Sequence, residues 1–295
     1  MRKVLFILCY SIISFSTFAQ EDTYSNARKK VIEDLRARDF STANTRINLL
    51  VPLISESNKD DYYGLTKQLQ DSLDISYDRA NSLKDNGQYE LAIVEYQRLI
   101  GGNKKPMKSP LYAHIGYCCE KRSDIQLAKS CYELGIQNNE NLSALRMAWY
   151  IRKNKISVTT EEMIDLYEKA TNYYAAMDSL GVEYARLERL NESYKWFRES
   201  NTNFSKYKMA EYLLDVTLCS QLADEYKTDD PVKLLTEAAD NNYAPAQYYL
   251  GLLYYFAKEG ERVKQDLSKG KYLMEQASAQ RYKRASSMLY LIKHL

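Results

Sequence analysis

The sequence predicts an all-α protein, a solenoid in which antiparallel helix pairs stack in chain order. Three observations carry this. Only 10 Gly and 5 Pro occur among 295 residues, about 5% where ~12% is usual, so little interrupts helices. Small residues recur at a fixed spacing, each followed one turn later by an aromatic side chain. Hydrophobic residues make up 45% of the chain and charged ones 27%, which supports a full core and argues against disorder.

Residues 1–19, MRKVLFILCYSIISFSTFA, open on Arg2 and Lys3, run through apolar Val4 to Ile13, and close on Thr17-Phe18-Ala19 ahead of polar QEDTYSN. This is the arrangement of a secretory signal peptide with cleavage after Ala19. Its apolar run is about ten residues, where a spanning helix needs ~20. No later segment offers such a run, so an exported protein without a transmembrane span after cleavage is expected. The short signal and the Gln after Ala19 have a bacterial look, which would put the protein in the periplasm or outside the cell. The formal charge of +2 falls to zero once Arg2 and Lys3 leave, which disfavours nucleic acid as a partner.

Residues 20–75 read as an N-terminal helical region. Asp39-Phe40-x-x-Ala43 carries the turn and small residue of a second helix, so Tyr24 to Leu50 is a divergent repeat pair. Pro52 and the polar SESNKDD stretch mark a loop. Asp60 to Asp85 then forms one long helix.

Over residues 76–204 the repeat is explicit. Tyr112-x-x-Ile115-Gly116-x-x-Cys119 precedes Ala128-x-x-x-Tyr132, and Met177-x-x-Leu180-Gly181-x-x-Tyr184 precedes Ser193-x-x-x-Phe197. Gly116 to Ala128, Gly181 to Ser193 and Ala80 to Ala92 each span twelve positions. Two antiparallel helices joined by a tight turn approach closely where small side chains face each other, and an aromatic one turn on fills the wedge toward the next pair. Gly87-Gln88-Tyr89 and Ser123-Asp124-Ile125 supply turns. Each pair leaves an apolar face uncovered, so pairs must stack. The pair between Met147 and Ala170 is stretched.

Residues 205–295 shift to a longer period. Leu234, Ala238, Tyr243, Ala246 and Leu250 recur 39 positions on as Leu273, Ala277, Tyr282, Ala285 and Leu289. The loop between Phe256 and Asp266 is longer than the earlier turns, and the array ends in a short cap. On these residues, 76–204 resemble tetratricopeptide repeats. Residues 205–295, with Ala246-Gln247-x-x-Leu250-Gly251-x-x-Tyr254 and Asp266-x-x-Lys269-Gly270, resemble Sel1-like repeats. The usual closing Pro is missing, and Glu140 stands near its place. The resemblance implies a right-handed α-α superhelical solenoid of both kinds of helix pair.

Signatures of catalysis are missing from the sequence, which has no glycine-rich phosphate loop and no HExxH. His114, beside the Ile115-Gly116 packing motif, reads as structural, and His294 as solvated. Neither enzymatic activity, a cofactor nor a metal is expected. Glu161-Glu162 and Asp229-Asp230 read as helix starts, with Asp230 an N-cap before Pro231. Four cysteines remain once Cys9 leaves with the signal. A disulfide of Cys131 with Cys118 or Cys119 would clip two adjacent helices in an oxidising compartment, and buried free thiols in the seams are the alternative.

Tyrosine is in surplus, with 27 copies, including the adjacent pairs Tyr62-Tyr63, Tyr173-Tyr174, Tyr248-Tyr249 and Tyr254-Tyr255. Neighbours on a helix point about 100° apart, so one of each pair is left for groove, edge or solvent. In tetratricopeptide arrays the first helices line a concave groove that takes a peptide or a partner helix. Carried onto matching positions, this implies binding by Tyr77, Asn81, Tyr117, Glu120, Trp149, Arg152, Asp178 and Val182, with Tyr248 and Tyr255 in the Sel1-like part. The expected function is an exported, non-enzymatic scaffold holding a protein or peptide partner in envelope assembly, export or signalling. The alternative is a protein that binds or hydrolyses a cell-wall fragment, glycan or β-lactam, as assigned to some secreted Sel1-like proteins. Here the cysteines do not recur one pair per unit as they do there, and no nucleophile stands out.

Overall fold

The computed structural model describes residues 23–100, 109–258 and 262–294. The expected signal peptide, residues 1–19, lies outside them. The described residues form helices and connecting turns, without strands. The chain divides into two compact units, Met1–Met147 and Ala148–Leu295.

In the first unit α1 (23–37) and α2 (Phe40–Leu50) form the N-terminal pair, and Asp39 caps α2 by accepting the Thr42 N–H at 3.1 Å. A 3-10 turn, Val51–Leu53, takes up Pro52. The long helix follows as α3 (Lys59–Asp85), whose buried stripe is Leu65, Leu69, Leu73, Ser76 and Ala80 at spacings of three and four. Then come α4 (Tyr89–Ile100), α5 (Leu111–Lys121) and α6 (Ile125–Gln137). Helix α7 (Asn141–Lys153) contains the boundary between the units.

The second unit continues with α8 (Thr160–Glu168), α9 (Tyr174–Arg186), α10 (Leu190–Ser200) and α11 (Asn203–Leu214). Two short helices, α12 (Val216–Gln221) and α13 (Asp224–Lys227), precede α14 (Pro231–Asp240), which packs on α11. The chain ends in α15 (Ala244–Phe256), α16 (Leu267–Ala279) and α17 (Lys283–His294). Both acidic helix starts are as expected: Thr159 and Glu162 form a capping box on α8, and Asp230 accepts from the Val232 N–H at 2.9 Å.

One turn recurs along the chain. The N–H of the residue after the turn bonds back five positions, and the N–H before it bonds back to an inner carbonyl. Examples are Asp124 to Cys119 with Ser123 to Glu120, and Arg189 to Tyr184 with Glu188 to Ala185. The residue at the turn lies at left-handed φ: Arg38 at 60°, Gly87 at 76°, Ser123 at 67°, Glu188 at 57°, Asn242 at 63° and Arg281 at 64°. These are Schellman closures, which satisfy the last carbonyls and reverse the chain tightly enough for the next helix to lie antiparallel.

The twelve-residue spacing acquires its meaning between the helices. A β-carbon on Gly116 would stand 2.7 Å from Cδ1 of Tyr132, and one on Gly181 2.8 Å from Cζ of Phe197. The second small residue also faces the first helix, since the Ser193 hydroxyl donates to the Gly181 carbonyl at 2.6 Å. In the 39-residue pattern two glycines meet instead. A β-carbon on Gly251 would lie 2.9 Å from the Gly270 carbonyl oxygen, and one on Gly270 2.8 Å from that of Gly251, so α15 and α16 approach backbone to backbone.

Candidate functional site

The expected binding positions of the first unit lie on successive first helices, and buried side chains of the second helices tie them together. Tyr96 and Tyr132 are completely buried, and each sends its hydroxyl out of the core. Tyr96 donates to Asn81 Oδ1 at 2.7 Å and Tyr132 to Glu120 Oε2 at 2.6 Å. Burial of each ring raises the hydroxyl pKa, and the Glu120 carboxylate adds to the effect on Tyr132. Lys84 donates to the same Asn81 oxygen at 3.1 Å.

His114 joins α3 to α5. Its Nε2 lies 2.9 Å from the Tyr77 hydroxyl, and its ring stacks on Tyr96 with centroids 5.3 Å apart. Burial, with Lys84 and Arg146 nearby, pushes the imidazole down to about 4, so it is neutral at pH 7. Tyr117, half-buried one turn on, has the Arg146 guanidinium 4.6 Å from its ring centre and Tyr89 edge-on at 6.3 Å. Tyr77, Asn81, Tyr117 and Glu120 therefore belong to one connected polar and aromatic row. Sequence reasoning missed Tyr96, Tyr132, His114 and Arg146 as its supports. The available signal was Tyr in place of Phe at the wedge, because a buried hydroxyl needs a partner.

In the second unit the expected positions are placed differently. Trp149 is 39% exposed. Arg152 bonds the carboxylate of Glu183, which is 1% exposed, and lies 5.4 Å from the Tyr167 ring centre. Asp178 is held by the hydroxyls of Ser200 at 2.6 Å and Thr202 at 2.9 Å, tying α9 to the α10–α11 turn. Burial raises its pKa. Val182 packs against the cluster of Tyr194, Phe197, Met209, Tyr212 and Leu213. Tyr248 lies against Tyr282 with centroids 5.5 Å apart. Tyr255 contacts Phe256, and its backbone stands in the Gly270 seam. The two members of each pair lie on one helix, Trp149 and Arg152 on α7, Asp178 and Val182 on α9, and Tyr248 and Tyr255 on α15.

All four described cysteines are free thiols, Cys118, Cys119 and Cys131 buried and Cys219 half-buried. The thiols of Cys119 and Cys131 perturb each other. The hydrogen bond between them lowers Cys119 and raises Cys131, while burial pushes Cys118 up to about 11. No group of three or more His, Cys, Asp or Glu among the described residues is placed to hold a metal. No described helix is long and apolar enough to cross a membrane.

These features define an all-α repeat solenoid of the tetratricopeptide and Sel1-like type. The structure is similar to that of a Sel1 repeat protein from Oxalobacter formigenes, with a TM-score of 0.56 at 18% identity over 71% of this chain and 86% of that one. It also matches c5321, a protective antigen of uropathogenic Escherichia coli strains displaying an SLR fold, at a TM-score of 0.46 and 14% identity over 91% of this chain and 67% of that one. No family model and no curated protein matches the sequence.

Proposed function

We propose that the protein is an exported, non-enzymatic scaffold that holds a segment of a partner protein on the row Tyr77, Asn81, Tyr117 and Glu120, in cell-envelope assembly, export or signalling. The observation that carries this reading is preorganisation. Each side chain of the row is fixed by a named partner: His114, Tyr96, Arg146 and Tyr132 respectively. Ordering these groups during folding spares rotamer entropy at the moment of binding, and tyrosines offer apolar area with a polar tip. Alternating acceptors and aromatic faces suit an extended peptide.

The test is capture from a native envelope fraction with the chain from Gln20, set against a variant carrying Tyr77→Ala, Tyr117→Ala and Tyr248→Ala. Circular dichroism would establish that the variant remains folded. A protein retained by the first and lost by the second supports the reading. Equal retention by both removes the row from the function.

A further inference from the structure

The unit Ala148–Leu295 contains a cavity that the row above does not use, and we infer that it binds an aliphatic carboxylate. The inference does not depend on the protein-binding reading. Helix α7 closes with Lys155 at a left-handed φ of 52°, the Ile156 N–H bonding back to the Ile151 carbonyl at 3.0 Å. This Schellman closure brings Ile156 back over Ile151. Between this turn, the start of α8 and the face of α9 lies a cavity of ≈ 190 Å³, with Ile151, Ile156 and Met163 on its walls.

The charged lining is unbalanced. Arg152, Lys155 and Arg186 face one carboxylate, that of Glu183. Arg186 Nη1 donates to both oxygens of Glu183, at 3.3 and 3.0 Å, and Arg152 Nη2 donates to one of them. Each guanidinium is thus held through a single nitrogen, and its remaining N–H groups have no acceptor among the described residues. Lys155 has no ion pair there either. The neighbouring Glu162 carboxylate is committed to the Thr159 N–H at 2.7 Å. Three cations against one carboxylate leave two positive charges beside hydrocarbon walls. Preplaced guanidinium donors recognise a carboxylate by charge-assisted hydrogen bonds, and the isoleucines and Met163 take an alkyl group. An ion without hydrocarbon, such as inorganic phosphate, would leave those walls wet. The ligand is either the free C-terminus of a chain ending in an aliphatic residue or a free aliphatic acid.

The test is titration of the chain from Gln20, followed by amide NMR. The probes are 4-methylpentanoate, N-acetyl-Ala-Leu, the primary amides of both, and inorganic phosphate. The acids should shift α7–α9 resonances saturably, with the amides about tenfold weaker or more. Lys155→Gln, which leaves the Glu183 pairs in place, should weaken the acids by about threefold to tenfold at unchanged melting temperature. Tighter binding of the peptide acid identifies a chain terminus, and equal or tighter binding of 4-methylpentanoate identifies a free acid. Acids and amides binding alike, phosphate binding more tightly than either acid, or no saturation below about 50 mM would overturn the assignment.

Discussion

Tyr132 lies across Gly116 with no room for a side chain between ring and helix: a β-carbon there would come within 2.7 Å of Cδ1 and closer still to Cε1. Gly116→Ala should therefore cost ~1–3 kcal/mol by overpacking, despite alanine's better helix propensity. Gly181→Ala under Phe197 should behave alike. Gly64 in α3 is the control, since a β-carbon there meets nothing within 4 Å, and Gly64→Ala should stabilise by ~0.5–1 kcal/mol. Urea denaturation of the three variants reads this directly, and a shared sign would contradict it.

Glu140 reaches from the α6–α7 turn to the start of α5. Its carboxylate accepts the N–H groups of Tyr112 at 3.3 Å and Ala113 at 3.2 Å, and the Ser143 hydroxyl donates to it at 3.0 Å. Helix α5 has no side-chain cap from its own Pro110, so Glu140 is its cap, supplied from outside and favoured by the helix dipole. Glu140→Ala should cost ~1–2 kcal/mol. Amide exchange at Tyr112 and Ala113 should accelerate in that variant well beyond exchange in α3. Uniform acceleration would mean that the cap acts only through global stability.

That cap shows where the sequence was legible and where it stopped. The missing closing Pro and the Glu near its place are visible in the primary structure, but the partners of Glu140 lie 27 and 28 residues earlier, beyond any local pattern. The helix pairs were readable because Gly116, Gly181 and the aromatics beyond them obey one spacing. Turns were harder, since only one of the left-handed turn residues named above is glycine. Arg38, Glu188 and Arg281 occupy a conformation that their types do not advertise. On the first helices, Asn81 and Glu120 meet a wedge hydroxyl where the wedge is Tyr96 or Tyr132. Where the wedge is Phe197 no hydroxyl emerges, so Asp178 turns to Ser200 and Thr202 and Val182 joins the core.

The Arg152–Glu183–Arg186 cluster predicts an asymmetry. Glu183 is 1% exposed, whereas the two arginine side chains keep 39% and 59% of their exposure. Glu183→Gln leaves guanidinium groups that water can solvate and should cost ~1 kcal/mol. Replacing both arginines with Gln strands a buried carboxylate and should cost ~3 kcal/mol or more. Chemical unfolding at pH 7 of the single and double variants measures the difference, and equal losses would refute the argument.

Thiol chemistry should sort the cysteines. Among the described cysteines Cys219 alone is half-buried, so a bulky alkylating reagent should label it first in the native chain from Gln20, and the other three only on unfolding. Under mild oxidation Cys119 should link to Cys131, because the two thiols perturb each other and their interaction favours the Cys119 thiolate. Cys118→Ala should leave the link intact and Cys119→Ala should abolish it, as scored by the loss of two thiols. A link that survives Cys119→Ala would assign the pairing to Cys118.

His114 should make stability depend on pH. Its folded value of about 4 lies below the ordinary 6.5 because burial disfavours the imidazolium, with Lys84 and Arg146 adding to the effect. Between those values the unfolded chain binds a proton that the folded chain refuses, so protonation favours unfolding. The stability present above pH 6.5 should fall as the pH drops toward 4 and level off below it, a loss on the order of 3 kcal/mol. Asp178, raised by burial, and other carboxylates titrate at the low end of this window. The quantity to measure is therefore the difference between the native chain and His114→Gln, which keeps a polar group near the Tyr77 hydroxyl but cannot titrate. The variant should be flatter between pH 6.5 and 4. Identical profiles would mean that His114 is solvated in the folded protein, and with it the polar end of the row from Tyr77 to Glu120.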